Sequence, residues 1–221
     1  DLSAAAQVAP AGDIPLTITR GRTGMVELSS IDKDAAILYT INKGKKAKQY
    51  TEPISMRDGG TVTAWFANNP SIKTTTTFKK LETIQTEVIY ASSEEVGDGD
   101  AKNLVDGDPA TYWHSMYSVT VAKYPHWVDL DAGEVKTIKG FTYMPRQDSY
   151  NGNVKEYTIH VSMDGKNWGE PVQKGTFAGN RDEKKVIFSQ PVKGRYIRFT
   201  ALSEQYGQDY ASGAELTILA E

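Results

Sequence analysis

Asn103-Leu-Val-Asp-Gly-Asp-Pro-Ala-Thr-Tyr-Trp-His114 is the stretch on which the reading of this chain turns. Asp106, Asp108 and Thr111 stand at spacings of two and three around Gly107 and Pro109. Glycine admits backbone angles that other residues resist, and proline fixes the next turn, so the chain must curl here. The curl aims two carboxylates and a hydroxyl at one point. Hard oxygens converging in this way suit a calcium ion, which takes about 6–8 of them, so backbone carbonyls and a partner from elsewhere would have to join. The same spacing also fits an ordinary Asp-Gly surface turn. Directly after it, Tyr-Trp-His-Ser-Met-Tyr117 brings large aromatics and a histidine to the side of the loop.

Downstream, short runs read as strands: Trp127-Val-Asp-Leu130, Ile138-Lys-Gly-Phe-Thr-Tyr143, Tyr157-Thr-Ile-His-Val161, Lys185-Val-Ile-Phe188, Tyr196-Ile-Arg-Phe199 and Leu216-Thr-Ile218. In the third, Tyr157, Ile159, Val161 and Met163 fall on one face, with Thr158, His160 and Ser162 on the other. That period of two marks a half-buried strand, and Asp164-Gly165 marks the turn that ends it. Upstream, Pro15-Leu-Thr-Ile-Thr19, Val26-Glu-Leu28, Ala36-Ile-Leu-Tyr-Thr-Ile41, Thr61-Val-Thr-Ala-Trp-Phe66 and Lys73-Thr-Thr-Thr-Thr-Phe78 alternate in the same way. Turn residues punctuate them at short intervals, and no segment of helical length carries a 3.6-residue period. The expectation is all-β, with a small immunoglobulin-class sandwich in the first part. Lys43, Lys45, Lys46 and Lys48 read as a solvated hairpin edge, where lysine discourages strand-to-strand aggregation. Residues 1–13 are small and weakly patterned and read as a linker.

Composition removes several function classes. With 221 residues the chain can hold one large or two modest domains. A net charge of −3 gives no broad attraction to nucleic acid or anionic lipid. There is no cysteine, hence no disulfide framework, zinc-thiolate site or thiol nucleophile. No run approaches the roughly 20 apolar residues of a membrane span. A Gly-x-Ser-x-Gly elbow and a phosphate-binding glycine loop are both missing. Carboxylates abound, so counting alone leaves a glycosidase acid/base pair open.

The order of the motifs resembles the factor V/VIII C-type (discoidin) domain, and within it the family 32 carbohydrate-binding modules. Carrying that likeness are Ala91-Ser-Ser-Glu94, residues 103–114, Trp127-Val-Asp-Leu130, Tyr143-Met-Pro-Arg-Gln147 with Asn151-Gly152, Ser162-Met-Asp-Gly-Lys-Asn-Trp168, Arg195-Tyr-Ile-Arg198 and Tyr210-Ala-Ser-Gly-Ala-Glu-Leu216. It spans residues 86–221 and implies a galactose-binding-like β-sandwich of jelly-roll type. It also implies a structural calcium held by Asn103, Asp106, Asp108 and Thr111 from the loop, with Ala214 and Glu215 from the last strand. Asp106, Asp108 and Glu215 are better explained by calcium than by an acid/base pair, so the expected class is a binding region and not an enzyme. The likeness further implies a sugar site made of His114, Tyr117, Arg146, Asn151 and Tyr210, where many relatives carry tryptophan at the place of Tyr117.

The chemistry of that set is sensible without the likeness. A hexose has a C–H face that stacks on an aromatic ring and a rim of hydroxyls that donate and accept. Arginine only donates, asparagine does both, and neutral histidine offers one of each. Plainer roles fit the same residues: His114 packed beside Trp113, Tyr117 and Tyr210 as partly buried rim aromatics, Arg146 in an exposed ion pair with Asp148.

Residues 14–80, through Ile37-Leu-Tyr-Thr-Ile41, Tyr50-Thr-Glu-Pro-Ile54 and Gly60-Thr-Val-Thr-Ala-Trp65, resemble the small C-terminal sandwich of chitobiases and β-hexosaminidases. Together the likenesses imply the non-catalytic C-terminal part of a secreted, periplasmic or surface-bound bacterial glycoside hydrolase. Its partner would be a glycan with a terminal galactose-type sugar, bound by a monomeric fragment. A discoidin-type adhesion module for protein or phospholipid is the competing reading; its loops usually carry apolar spikes.

Overall fold

The computed structural model describes residues 15–221, so the linker expected over residues 1–13 lies outside the described residues. The chain divides into two compact units, Asp1–Leu81 and Glu82–Glu221. Among the described residues there is no α-helix, and the only helical segment is a 3-10 turn, Ala101–Val105. The fold is all-β.

The first unit has strands β1 (Leu16–Arg20), β2 (Met25–Ser30), β3 (Ile37–Ile41), β4 (Lys48–Gln49), β5 (Ile54–Ser55), β6 (Gly60–Phe66) and β7 (Thr74–Phe78). They form a three-stranded sheet, β1-β2-β5, and a four-stranded one, β4-β3-β6-β7. Alternation buries Val26, Leu28, Ile37, Met56, Val62 and Ala64 in one core. On the other face of β6 and β7, Thr61 meets Thr77 and Thr63 meets Thr75 through hydroxyl hydrogen bonds of 2.9 and 3.1 Å. This pairing accounts for Thr75 and Thr77 within the run of threonines. Lys48 lies on the edge strand β4, as the charge pattern implies.

The second unit has β8 (Thr83–Ile84), β9 (Glu87–Ala91), β10 (Trp113–His114), β11 (His126–Met144), β12 (Glu156–Ser162), β13 (Gln173–Thr176), β14 (Lys184–Ala201), β15 (Ser212–Gly213) and β16 (Glu215–Ala220). Its sheet begins before residue 86, because Thr83 and Ile84 pair with Leu219 and Ile218. Four of the expected short strands prove to be two long bent ones, β11 and β14. Each half of β11 pairs with a different half of β14: Val128 faces Phe199, and Phe141 faces Val186. The register slips between Asp131 and Lys136, where Gly133 takes a φ of 80°. The slip lets both strands bend and serve both layers of a sandwich. The first layer adds β9, β12 and β13, the second β16 and β8.

Between the layers lies an aromatic core. The Phe141 ring, fully buried, touches Tyr157 at 5.4 Å, Phe177 at 6.2 Å and Phe199 at 6.2 Å between centroids. Burying such a ring is worth about 1.5–3 kcal/mol. One strand reading is corrected here: Met163 is exposed and Ser162 is buried. The strand ends at Ser162, whose Oγ accepts the Gly165 N–H at 3.0 Å and donates to the Asn167 carbonyl at 2.7 Å. A residue committed to a turn no longer obeys the alternation of the strand before it.

Candidate functional site

At one end of this sandwich, β10 and β15 pair antiparallel, Trp113 with Gly213 and His114 with Ser212. Trp113 is fully buried and donates its indole N–H to the Ser93 carbonyl at 2.9 Å, which anchors the strand. A side chain at Gly213 would come within 2.9 Å of Tyr143 and 3.0 Å of Leu104, so glycine lets the two segments close. The stretch 103–114 is thereby joined to the last strand of the fold.

His114 forms the floor of the site. It is buried, and its Nδ1 lies 2.7 Å from the Ser115 carbonyl. A carbonyl only accepts, so Nδ1 carries the proton. Burial, helped by the charge of Arg146, holds the imidazolium below its usual range, so the ring is neutral and Nε2 is an acceptor. Histidine therefore offers a ligand an acceptor alone, not the donor and acceptor that its type allows. The packed role beside Trp113 and the floor role are filled by one side chain.

Around that floor stand the other four. The Tyr117 ring meets His114 edge-on at 4.9 Å and 81°, and the Tyr210 ring lies 5.3 Å away, tilted by 53°. Tyr117 is 39% exposed. Arg146 is clamped to Asp148 by Nε at 2.6 Å and Nη2 at 3.2 Å, which uses two of its five N–H groups. Its guanidinium lies 3.7 Å over the Tyr112 ring. Asn151 is exposed, and its carbonyl accepts the Ser212 hydroxyl at 2.6 Å. Because Ser212 pairs with His114, Asn151 is tied to the same floor. The structure thus brings His114, Tyr117, Arg146, Asn151 and Tyr210 together.

Sequence reasoning missed three residues that hold the site. Asp98 accepts the Tyr117 hydroxyl at 2.6 Å and the Tyr112 hydroxyl at 3.2 Å. That bond to a carboxylate pushes the Tyr117 phenol up to about 12. Glu95 accepts the amide N–H of Tyr117 at 2.7 Å and of Ser118 at 3.1 Å, and also the Ser118 hydroxyl. These bonds hold its carboxyl below the usual range, Ser118 foremost. Tyr112 is the third, as the ring beneath Arg146. Such partners lie 14 to 34 residues apart in the chain, from Asp98 and Tyr112 to Tyr112 and Arg146, and no local spacing betrays them.

The oxygen-rich loop is only partly as its spacing implies. Gly107 takes a φ of 79°, as the curl requires. Thr111 Oγ1 lies 2.6 Å from Asp106 Oδ2 and 3.0 Å from the Asp108 carbonyl oxygen. Asp108 instead turns Oδ1 to the Ala110 N–H at 2.9 Å, so its carbonyl and not this carboxylate oxygen joins the cluster. Three hard oxygens thus share one hydroxyl proton, an arrangement that a cation would relieve. Asn103 donates its side-chain amide N–H to the Tyr112 carbonyl at 2.9 Å, a bond that fixes the side chain and uses none of its oxygens. Ala214 and Glu215 are buried at the start of β16, which packs on the 3-10 turn carrying Asn103. Among the described residues no three His, Cys, Asp or Glu side chains form a metal cage. Any ion here would be held by oxygens alone, from carboxylate, carbonyl and hydroxyl groups, a donor set that fits calcium and not zinc.

A family model described as F5/8 type C domain matches residues 88–216. The chain belongs to the F5/8 type C domain family. Among curated relatives, it is 39% identical over 172 residues to a sialidase of Micromonospora viridifaciens, covering 76% of this chain and 26% of the sialidase. The chain thus spans about a quarter of that relative's length. Among solved structures, CpGH89CBM32-5 from Clostridium perfringens, in complex with GalNAc-beta-1,3-galactose, is 31% identical with a TM-score of 0.58. The match covers 62% of this chain and 99% of that one. The family 32 carbohydrate-binding module of C. perfringens NanJ, in complex with galactose, is 27% identical with a TM-score of 0.55, covering 62% and 97%. The F5/8 type C domain here therefore resembles non-catalytic carbohydrate-binding modules over nearly their whole length. No helix among the described residues is long and apolar enough to cross a membrane.

Proposed function

We propose that the F5/8 type C domain binds carbohydrate without catalysis, and that it takes the terminal galactose-type sugar of a glycan. The observation that carries this is the gathering of the Tyr117 and Tyr210 rings and the Arg146 charge about His114, with Asn151 tied through Ser212 to the strand paired with it; we read the space above His114 as the sugar recess. Tyr210 and Tyr117 supply faces for the C–H side of a hexose. Arg146 donates, His114 Nε2 accepts, and the Asn151 amide does both. That acceptor–donor contrast across a few ångströms suits an axial hydroxyl flanked by equatorial ones. The likeness to modules solved with galactose and with GalNAc-beta-1,3-galactose supports the same sugar class.

Calcium is the cation that the loop oxygens suit. Asn103, Asp108 and Ala214 would give carbonyls, Asp106 and Glu215 carboxylates, and Thr111 its hydroxyl. Bound there, the ion would tie the loop to the last strand and hold the recess in shape. We read the first unit as a chitobiase-type, immunoglobulin-like accessory domain, and the whole chain as part of a secreted bacterial glycoside hydrolase that acts as a monomer. A glycan array tests the central reading: galactose-terminated glycans should dominate, and a profile free of them contradicts it.

A second reading, discoidin-type adhesion to phospholipid or protein, draws on Val96 and Val119, both exposed beside the loop that Glu95 holds. Sedimentation with anionic liposomes would reveal it; the primary reading expects no co-sedimentation.

A further inference from the structure

Beyond the five-residue recess the wall of the domain continues as a second aromatic corner. Tyr150 and Tyr206 meet at right angles with centroids 6.2 Å apart, and they are 43% and 63% exposed. Exposed rings of this size carry apolar area that nothing in the domain covers. They are not loosely hung. Tyr206 stands on a loop whose N–H groups at Tyr206 and Gln208 donate to the buried Glu204 carboxylate at 2.7 and 3.0 Å. The neighbouring Gln205 amide donates to the Val154 and Phe177 carbonyls at 3.1 and 2.9 Å. Tyr150 is capped by the Arg181 guanidinium at 4.6 Å from its centroid. Arg181 in turn donates to the Gln147 carbonyl at 2.6 Å, and Gln147 donates back to the Arg181 carbonyl at 3.0 Å.

This corner is continuous with the recess. Tyr150 immediately precedes Asn151, and Arg181 shares with Arg146 the task of holding Asp148 ionised. A line runs from His114 through Arg146, Asp148 and Arg181 to Tyr150 and Tyr206. Asp148 offsets only one of the two guanidinium charges along it, and the Arg181 guanidinium stays beside the Tyr150 ring as a donor. Two rigid phenol rings at right angles, with an arginine donor beside them, match the C–H face and hydroxyl rim of a second sugar.

We propose that Tyr150 and Tyr206 wall a second sugar subsite, so that the ligand is a glycan of at least two residues whose second sugar lies against this corner. The inference rests on the terminal sugar occupying the recess around His114. Its test compares methyl β-D-galactoside with a panel of galactose-terminated disaccharides of different linkage, titrated into the full chain. At least one linkage should bind about three- to tenfold tighter than the monosaccharide. Tyr206→Ala should erase that gain and leave the monosaccharide affinity within about twofold, while Tyr206→Phe, which keeps the ring, should retain it. A wild type that prefers no disaccharide overturns the subsite, as does a Tyr206→Ala variant that keeps the gain or weakens both ligands equally. A wild type that binds no galactose-type sugar at all overturns the reading of the recess, and the second subsite with it.

Discussion

The Arg146 guanidinium carbon lies 3.7 Å over the Tyr112 ring while two of its nitrogens grip Asp148. An arginine held by a ring on its face and a carboxylate on its edge has lost most of its rotamer freedom before a ligand arrives. Pre-organised donors cost less entropy on binding than free ones. We predict that Tyr112→Leu weakens galactose binding by about 1 kcal/mol, the scale of a cation–π contact. Tyr112→Phe, which keeps the ring and loses only the bond to Asp98, should stay within about 0.5 kcal/mol of wild type. Calorimetric titration of both variants separates a ring effect from a hydroxyl effect.

The loop at Asp106 gives a metal prediction. Calcium should raise the melting temperature of the wild type, and chelator should lower it. Asp106→Ala should abolish both responses, because it removes the carboxylate nearest Thr111. Calcium bound only by the native state adds stability in proportion to its excess over Kd. Scanning calorimetry with and without chelator decides this, and identical curves for the wild type would refute the clamp.

Acidification should act through the buried His114 and His126 and the half-buried His160. Burial lowers the proton affinity of His114, His126 and His160 from the ordinary value near 6.5, so the unfolded chain binds protons more readily. Stability from this source is complete above about 6.5 and is lost as pH falls from there through the folded values. Sugar affinity should follow the same direction, being level above about 6.5 and falling below it, since a protonated His114 has no acceptor left. Titrations between pH 5 and 8 at constant salt would check it, and affinity rising on acidification would contradict the acceptor role.

The aromatic core supplies a stability prediction independent of the site. Phe141→Ala should cost about 3–5 kcal/mol, the range for emptying a packed phenylalanine site. Sugar binding by whatever fraction remains folded should be unchanged. Urea denaturation monitored by circular dichroism measures the first and calorimetry the second.

Much of this was legible in the chain, for identifiable reasons. Gly107 and Pro109 force the curl, and Trp113 has no place but a core, so the stretch around them announces its own geometry. Strand alternation gave the faces of β12 up to Val161 and failed at Ser162 and Met163, where the turn takes over. The lengths of β11 and β14 were hidden because Gly133 and Pro191 look like strand breaks, whereas they sit within long bent strands. Asp108 shows the limit for side chains: an aspartate beside a glycine can point inward or cap the next turn, and here it caps Ala110. Asp98, Glu95 and Tyr112 were invisible since their roles exist only once distant loops meet.

The most direct measurement is a titration of methyl β-D-galactoside into wild type, Arg146→Ala and Tyr210→Ala, with circular dichroism as the folding control. A shallow site for one sugar exchanges water hydrogen bonds for protein ones at small net gain. The wild type should therefore bind with a Kd of about 10⁻⁴ to 10⁻³ M, or about 4–5.5 kcal/mol. Arg146→Ala should remove about 1.5–3 kcal/mol, as for the loss of a charged donor, and so abolish measurable binding. Tyr210→Ala should lose a similar amount with its stacking face. Both variants should keep the wild-type spectrum, because neither side chain belongs to the core. Undiminished binding by both folded variants would contradict the account and place the sugar elsewhere on the domain.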